Sequence, residues 1–138
     1  MADDVGPLPH WTLDGIYPGL TSPQFERALG ELDAKLAEHQ ASLDRDGVGG
    51  PATRADADEP RLAAIVDGYI ERANWLAARH QTLDAYAHAF FSTNTKDEVA
   101  RRRGSELEAR ESRLEACSIR FLSWVRALEG RLDGVSAR

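Results

Sequence analysis

The 138-residue chain has one cysteine, no run of apolar residues long enough to cross a membrane and no excess of basic residues. A lone Cys117 excludes an intramolecular disulfide, and the acidic start lacks the basic and apolar regions of a signal peptide. A membrane span needs roughly 18 consecutive apolar residues. The composition therefore predicts a protein of the reducing cytoplasm without a membrane partner.

Positive charge is also scarce, since 17 basic residues stand against 23 acidic ones and give a net charge of −6. A surface that binds nucleic acid normally carries clustered Lys and Arg. We therefore expect no nucleic-acid partner. The length is that of one domain with a core of its own.

Three stretches of the chain carry apolar residues at steps of three and four, the spacing of one face of an α-helix. They predict helices over about 22–43, 60–91 and 96–130, after an irregular apolar lead-in over 1–21. The stretch 44–59 contains three glycines and a proline, which predicts a flexible, exposed linker.

The predicted fold class is all-α, because no stretch shows the alternation of a strand. A short connection joins the second and third helices, so we expect a long antiparallel helical hairpin with the N-terminal helix packed along it. The result is a three-helix bundle within a single domain, 22–138. Each helix contributes one coiled-coil-like apolar stripe to the core; the predicted stripes are Phe25, Leu29, Leu32, Leu36, His39 and Leu43, then Leu62, Val66, Tyr69, Ala73, Leu76, His80, Leu83, Ala87 and Phe90, then Leu107, Leu114, Cys117, Phe121, Trp124 and Leu128.

Two local signals place the starts of helices. Ser22 followed by Pro23 predicts the start of the first helix, with the hydroxyl as cap and proline at the first helical position. Thr95 and Glu98 have the spacing of a capping box, which predicts that the third helix begins near Lys96.

The lead-in contains the segment "PHWTLDGIYPGL", which is rich in apolar residues although Pro18 stops any helix. We expect Trp11, Leu13, Ile16 and Tyr17 to lie across the following helices and to cover their stripes. This packing role is preferred to a catalytic role for the Trp, His and Asp that sit together there.

Four apolar residues lie off the main stripes. Trp75 and Tyr86 share a second face of the second helix, and Ile119 and Leu122 lie to one side on the third. Apolar surface beyond the needs of a three-helix core is typical of an interface. We therefore predict that these four residues form a possible interface with a partner or with a second copy of the chain.

The histidines are the first candidates for chemistry, because His80, Asp84 and His88 follow one another at four-residue steps on one helix. His80 and His88 are about 12 Å apart along the axis and cannot bind one ion. We expect a semi-buried His80, a solvated or hydrogen-bonded His88 and a hydrogen-bonded His39 within the core.

Other catalytic signatures are absent from the sequence, which has no H-E-x-x-H, no G-x-S-x-G and no phosphate-binding glycine loop. Cys117 lies on an apolar stripe and is expected to act as a small hydrophobe. The cluster Arg101-Arg102-Arg103 precedes several glutamates, which predicts pairing within one helix on a solvated face. We predict no catalytic residue, no metal ligand and no cofactor in this chain.

Two segments resemble the N-terminal helical region of oligoendopeptidase F, a branch of the M3 zinc metallopeptidases. The first is "HWTLDGIYPGLTSPQFERALGELDAKLAEH", with its tryptophan, Tyr-Pro and Ser-Pro-x-Phe helix start. The second is "YAHAFFSTNTKDEVARRRGSELEARESRLEACSIRFLSWVRAL", with a tyrosine-bearing helix, a Thr-x-Asp turn and a long helix that ends in aromatic residues. The similarity covers about residues 10–130.

The resemblance implies an almost wholly helical enzyme with two lobes around a channel, in which zinc held by H-E-x-x-H and a downstream glutamate hydrolyses short peptides. None of those catalytic positions exists in this chain. The chain is then expected to be a non-catalytic lobe, either a fragment or a relic of such an enzyme, and to be inactive alone. It would form a wall of the channel and pack on a catalytic lobe in the same or a separate chain. The alternative is a stand-alone helical module for protein interaction or self-association.

Overall fold

The computed structural model describes residues 12–50 and 58–128, which contain three α-helices and no strand. In chain order these are α1 (Pro23–Arg45), α2 (Glu59–Thr93) and α3 (Glu98–Ala127). Each helix packs on the other two, so the predicted all-α bundle is confirmed. Within the described ranges, no helix is both long and apolar enough to cross a membrane.

The start of α1 follows the predicted capping. Ser22 accepts a hydrogen bond from the backbone N–H of Phe25 at 3.2 Å, and Pro23 occupies the first turn. The same hydroxyl donates to the carbonyl oxygen of Gly19 at 2.7 Å. Ser22 thus fixes both the first turn of the helix and the chain that leads into it.

The end of α1 corrects the prediction that 44–59 is an exposed linker. Gly47 has φ +65°, and the N–H groups of Gly47 and Val48 donate to the carbonyls of Asp44 and Leu43. This pattern is a Schellman motif, in which the residue after the left-handed glycine packs back on the helix. Val48 is accordingly only 1% exposed and packs in the same cluster as Leu43. Residues 51–57 lie outside the described ranges.

The start of α3 also differs from the prediction. Asp97 is the N-cap and accepts from the N–H of Ala100 at 3.0 Å, so the helix begins at Glu98. The side chain of Asn94 accepts from the N–H of Lys96, which forms a turn ahead of that cap. Aspartate caps at least as well as threonine, and the Thr95–Glu98 capping box therefore does not form.

A ladder of ion pairs sets the register between α1 and α3. Arg110 binds Asp33 through two hydrogen bonds of 2.9 and 2.7 Å, and Arg120 binds Asp44 at 2.7 Å. The partners are 77 and 76 positions apart, and a nearly constant offset means that α1 and α3 run parallel. The helix α2 runs antiparallel to both, as the hairpin requires.

The core consists of two clusters along the bundle. The first lies at the turn of the hairpin and includes Phe25, Leu32, Leu83, Tyr86 and Leu107, all nearly inaccessible to solvent. The second lies at the open end of the hairpin and is built around Leu43, Val48, Leu62, Tyr69, Phe121 and Trp124. The predicted stripes supply most of both clusters.

The lead-in packs on the first cluster, but not through all the predicted residues. Tyr17 is buried against Phe25 and Tyr86, and Leu13 is half-buried beside them. Ile16 is 54% exposed, so its predicted packing is wrong. The N–H groups of Ile16 and Tyr17 both bond to the carbonyl of Leu13, and this turn directs the two neighbouring side chains to different sides. Trp11 lies outside the described residues.

The second face of α2 is occupied within the bundle. Tyr86 is 2% exposed and its hydroxyl donates to the carbonyl of Tyr17 at 2.7 Å, so the prediction that it belongs to an outward interface is wrong. Trp75 is half-buried against the first cluster, with the guanidinium of Arg79 5.3 Å from its ring centroid. The physical reason is that α2 contacts α1 and the lead-in as well as α3, and so needs two apolar faces.

Candidate functional site

Among the residues that the structure describes, no helix packs on one side of the α2–α3 hairpin. On the opposite side α1 is bound through the arginines of α3. The free side carries a groove of about 660 Å³ whose floor is reached by His39 of α1. Its walls come from α2 (Tyr69, Ala73, Ala77, His80, Gln81 and Asp84) and from α3 (Glu111, Leu114, Glu115 and Ser118). We call this side of the hairpin the open face.

A buried histidine forms the floor of the groove. His39 is 1% exposed, and its Nδ1 accepts a hydrogen bond from Nε of Arg72 at 3.2 Å. Burial, together with the positive charge of Arg72, lowers the pKa of His39 below its ordinary value of 6.5. The ring is therefore neutral with its proton on Nε2. The expectation of a hydrogen-bonded histidine in the core is confirmed.

His80 is held in the wall of the same groove by α3. Its Nε2 lies 2.9 Å from the carbonyl oxygen of Leu107, and because a carbonyl only accepts, the imidazole donates. The residue is 9% exposed, as a semi-buried position on the stripe predicts. His80 thus ties α2 to α3 at the level of the first cluster, which contains Leu107.

The histidines of α1 and α2 lie in separate surroundings. Nδ1 of His39 is occupied by Arg72 and Nε2 of His80 by Leu107, while His88 is exposed on another stretch of α2. Among the described residues no three His, Cys, Asp or Glu side chains form a group that could hold a metal ion.

Cys117 is part of the core. The residue is 5% exposed among the apolar side chains of the second cluster, and burial raises the pKa of its thiol. A thiol in such surroundings stays protonated at neutral pH and is a poor nucleophile. The interpretation of Cys117 as a small hydrophobe fits this environment.

A second groove of about 250 Å³ continues the first toward the turn of the hairpin, and the two share Asp84. Four exposed carboxylates line the two grooves: Asp84, Glu108, Glu111 and Glu115. None of them is ion-paired with any residue that the structure describes. Among the described residues that line the two grooves, Arg101 is the only basic side chain apart from the histidines. The open face is therefore acidic.

Exposed apolar side chains lie at the end of the open face that is farther from the turn of the hairpin. Ile70, Ile119 and Leu122 are 47%, 62% and 50% exposed. Ile70 precedes Ala73 by three positions, and Leu122 follows Ser118 by four, so both lie on the faces that line the groove. The exposure of Ile119 and Leu122 agrees with their position off the main stripe. Their role as an interface remains a prediction.

Arg103 of α3 is buried and bound to other parts of the bundle, which the sequence pattern did not indicate. Arg103 is 5% exposed, and it donates to the carbonyl of Leu20 at 3.0 Å while pairing with Glu26 of α1 and with Glu106. Burial alone would lower the pKa of Arg103, but the hydrogen bonds and charges of the two glutamates raise it overall.

The predicted pairing within the helix is present in the contact of Arg103 with Glu106, but the predicted solvated face is wrong, because Arg103 is buried and also pairs with Glu26 of α1. Spacings of three and four along a helix do not distinguish a partner on the same helix from one on a neighbour. The parallel heptad spacing of Glu26 and Asp33 on α1 and of Arg103 and Arg110 on α3 is the signal that could have found the contact.

Comparison of the chain with protein-family models, with curated proteins and with solved structures found no match.

Proposed function

We propose that this chain is a non-catalytic helical lobe that docks, through its open face, onto the catalytic part of a peptidase of the oligoendopeptidase F type. The observation that carries the proposal is that the described residues cover only one side of the hairpin. One side of α2 and α3 is packed by α1, whereas the other presents a groove with exposed Ile70, Ile119 and Leu122. Exposed apolar side chains beside a groove are typical of a surface that is buried in a larger assembly.

The internal chemistry of the chain is consistent with a structural role. Three buried polar side chains make contacts between elements of the bundle: His39 with Arg72, His80 with the carbonyl of Leu107, and Arg103 with the lead-in. A nucleophile needs an adjacent base, and Cys117 lies among apolar neighbours. In this proposal the lobe walls the substrate channel and restricts which peptides enter, and the zinc chemistry belongs to the catalytic part.

A second candidate is a stand-alone module for protein interaction. It is favoured by the two core clusters and by the ion pairs between α1 and α3, which together give the bundle the contacts of an independently folding domain. The two candidates use the same open face and differ in the partner.

Peptide hydrolysis tests the proposal. The purified chain with added zinc should not cleave a quenched peptide. The second polypeptide in the test is the one that contains an H-E-x-x-H motif and is encoded by a reading frame continuous with, or adjacent to, that of this chain. The mixture of the two should hydrolyse the peptide faster than the second polypeptide alone. Hydrolysis by this chain alone, or a mixture no more active than the second polypeptide, contradicts the proposal.

A matched pair of variants locates the effect. Leu122→Asp places a charge on the open face and should abolish the gain in activity. Ile16→Asp changes a side chain of similar exposure, 54% against 50%, in the lead-in, and should leave the gain unchanged. An equal effect of the two substitutions contradicts docking through the open face.

A further inference from the structure

We infer that the element that docks on the open face is an amphipathic helix whose apolar stripe is flanked by Lys or Arg. The inference rests on the proposed function, because it describes the partner for the same face. It follows from three properties of that face: unpaired charge, the shape of the groove and the position of the exposed apolar residues.

The charge of the open face selects a basic partner. The acids of α1 that meet α3 have arginine partners, as with Asp33 and Asp44, whereas the four carboxylates along the grooves have none among the described residues. Among the described lining residues, four carboxylates stand against Arg101 and leave a net charge of −3, with histidine counted as neutral. Burial of unpaired carboxylates under a neutral or acidic partner is unfavourable.

The same charge disfavours a second copy of the chain as the occupant. A two-fold dimer through the open face would set Glu111 and Glu115 of one copy beside the acidic groove of the other. Like charges at close range disfavour an interface. A basic partner relieves this repulsion and leaves the apolar contacts available.

The groove has the shape for a helix. Ala73 and Ala77 of α2 and Ser118 of α3 are small side chains in its walls, and small residues allow two helices to approach closely. At the level of the stacked rings of Tyr69 and Phe121, the next residue of each helix is exposed: Ile70 and Leu122. These two residues would contact the apolar stripe of the incoming helix, while the acids would bind its flanks.

Two synthetic peptides test the inference. Each has about 18 residues, five helical turns, with the same stripe of leucine and alanine; lysine flanks the stripe in one and glutamate in the other. Binding is measured by fluorescence anisotropy of labelled peptide at about 0.15 M salt, where exposed charges are screened beyond about 8 Å. We expect the lysine peptide to bind at least about tenfold more tightly.

Charge reversal then tests the site. The double variant Glu111→Lys with Glu115→Lys should invert the preference, so that the glutamate peptide binds more tightly. The control double variant Glu38→Lys with Glu71→Lys changes the net charge by the same amount on the side of α1, and should keep the preference of the unmodified chain. Both members of each pair are exposed.

Equal binding of the two peptides, binding of neither, or the same response in both double variants would overturn the inference. A dimer of the chain that Leu122→Asp dissociates would overturn it as well. None of the peptide results decides the proposed function, which is tested by hydrolysis in the mixture. If the mixture gained hydrolysis but the chain did not prefer the lysine peptide, the proposal of a docking lobe would stand. Only the inference that its partner is a basic helix would be rejected.

Discussion

The hydroxyl of Tyr86 donates a hydrogen bond of 2.7 Å to the backbone carbonyl of Tyr17, across 69 positions of the sequence. The two rings also meet edge to face, with their centroids 5.1 Å apart. This contact joins the lead-in to the middle helix of the bundle. Tyr86 is thus a core residue with a polar end that finds a partner, as a buried tyrosine requires.

Tyr86→Phe should destabilise the chain by about 1–3 kcal/mol, because a buried carbonyl loses its donor while the ring packing is kept. Urea unfolding followed by circular dichroism measures the difference. Thr82→Val removes an exposed hydroxyl bond within one helix and serves as the control, with a change of less than about 0.5 kcal/mol. Equal stabilities of the Tyr86 variant and the unmodified chain would contradict this role.

Arg103→Ala should destabilise the bundle by about 1–3 kcal/mol, through loss of the hydrogen bond to the Leu20 carbonyl and of two ion pairs. The loss is not larger because Glu26 and Glu106 are partly exposed, so water can solvate the carboxylates left behind. Arg102→Ala, at an exposed neighbour, should change stability by less than about 0.5 kcal/mol. If thermal or urea unfolding gave the same result for both variants, Arg103 would not be the anchor that the structure indicates.

His39 should make the stability depend on pH. Its pKa in the folded chain is lowered from 6.5, so the unfolded chain binds the proton more readily. The stabilisation is complete above pH 6.5 and is lost as pH falls from 6.5 to the lowered pKa.

The urea concentration at the unfolding midpoint should accordingly decrease as the pH is lowered from 7.5 toward the lowered pKa. His39→Gln should remove part of that decrease. His88→Gln, the same substitution at an exposed position, serves as the control. Parallel profiles for the unmodified chain and the His39 variant would mean that His39 does not couple to folding.

Cys117 should react slowly with a thiol reagent such as iodoacetamide while the chain is folded. The side chain is 5% exposed and burial raises its pKa, and the thiolate is the reactive form. Unfolding in urea should raise the rate by at least about tenfold. A fast reaction in the folded chain would point to an accessible thiolate and would contradict its place in the core.

The fold could be predicted from periodicity, because each helix repeats its apolar residues over many turns. Phe25, Leu32 and Leu83, for example, fall on the predicted stripes and are buried. The three predicted helices are observed with ends that differ by one to three residues, where those ends are described.

Features that depend on a neighbouring helix could not be predicted in the same way. The surroundings of Tyr86 and Arg103 come from the lead-in and from α1, which no spacing within one helix reveals. Val48 was missed for a related reason: glycine-rich sequence predicts a loop, whereas Gly47 here permits the turn that returns the chain to the core. Ile119 and Leu122 were identified from their position off the stripe.

Site-specific photocrosslinking from position 122 tests the central claim most directly, that the open face docks onto the catalytic part of a peptidase. A photoreactive phenylalanine analogue replaces Leu122 in the chain expressed in its source cells, and it replaces Ile16 in a control. We predict that position 122, and not position 16, becomes linked to a polypeptide with an H-E-x-x-H motif, within a helix rich in Lys and Arg. The same products from both positions, or products from position 122 that contain only copies of this chain, would contradict the account.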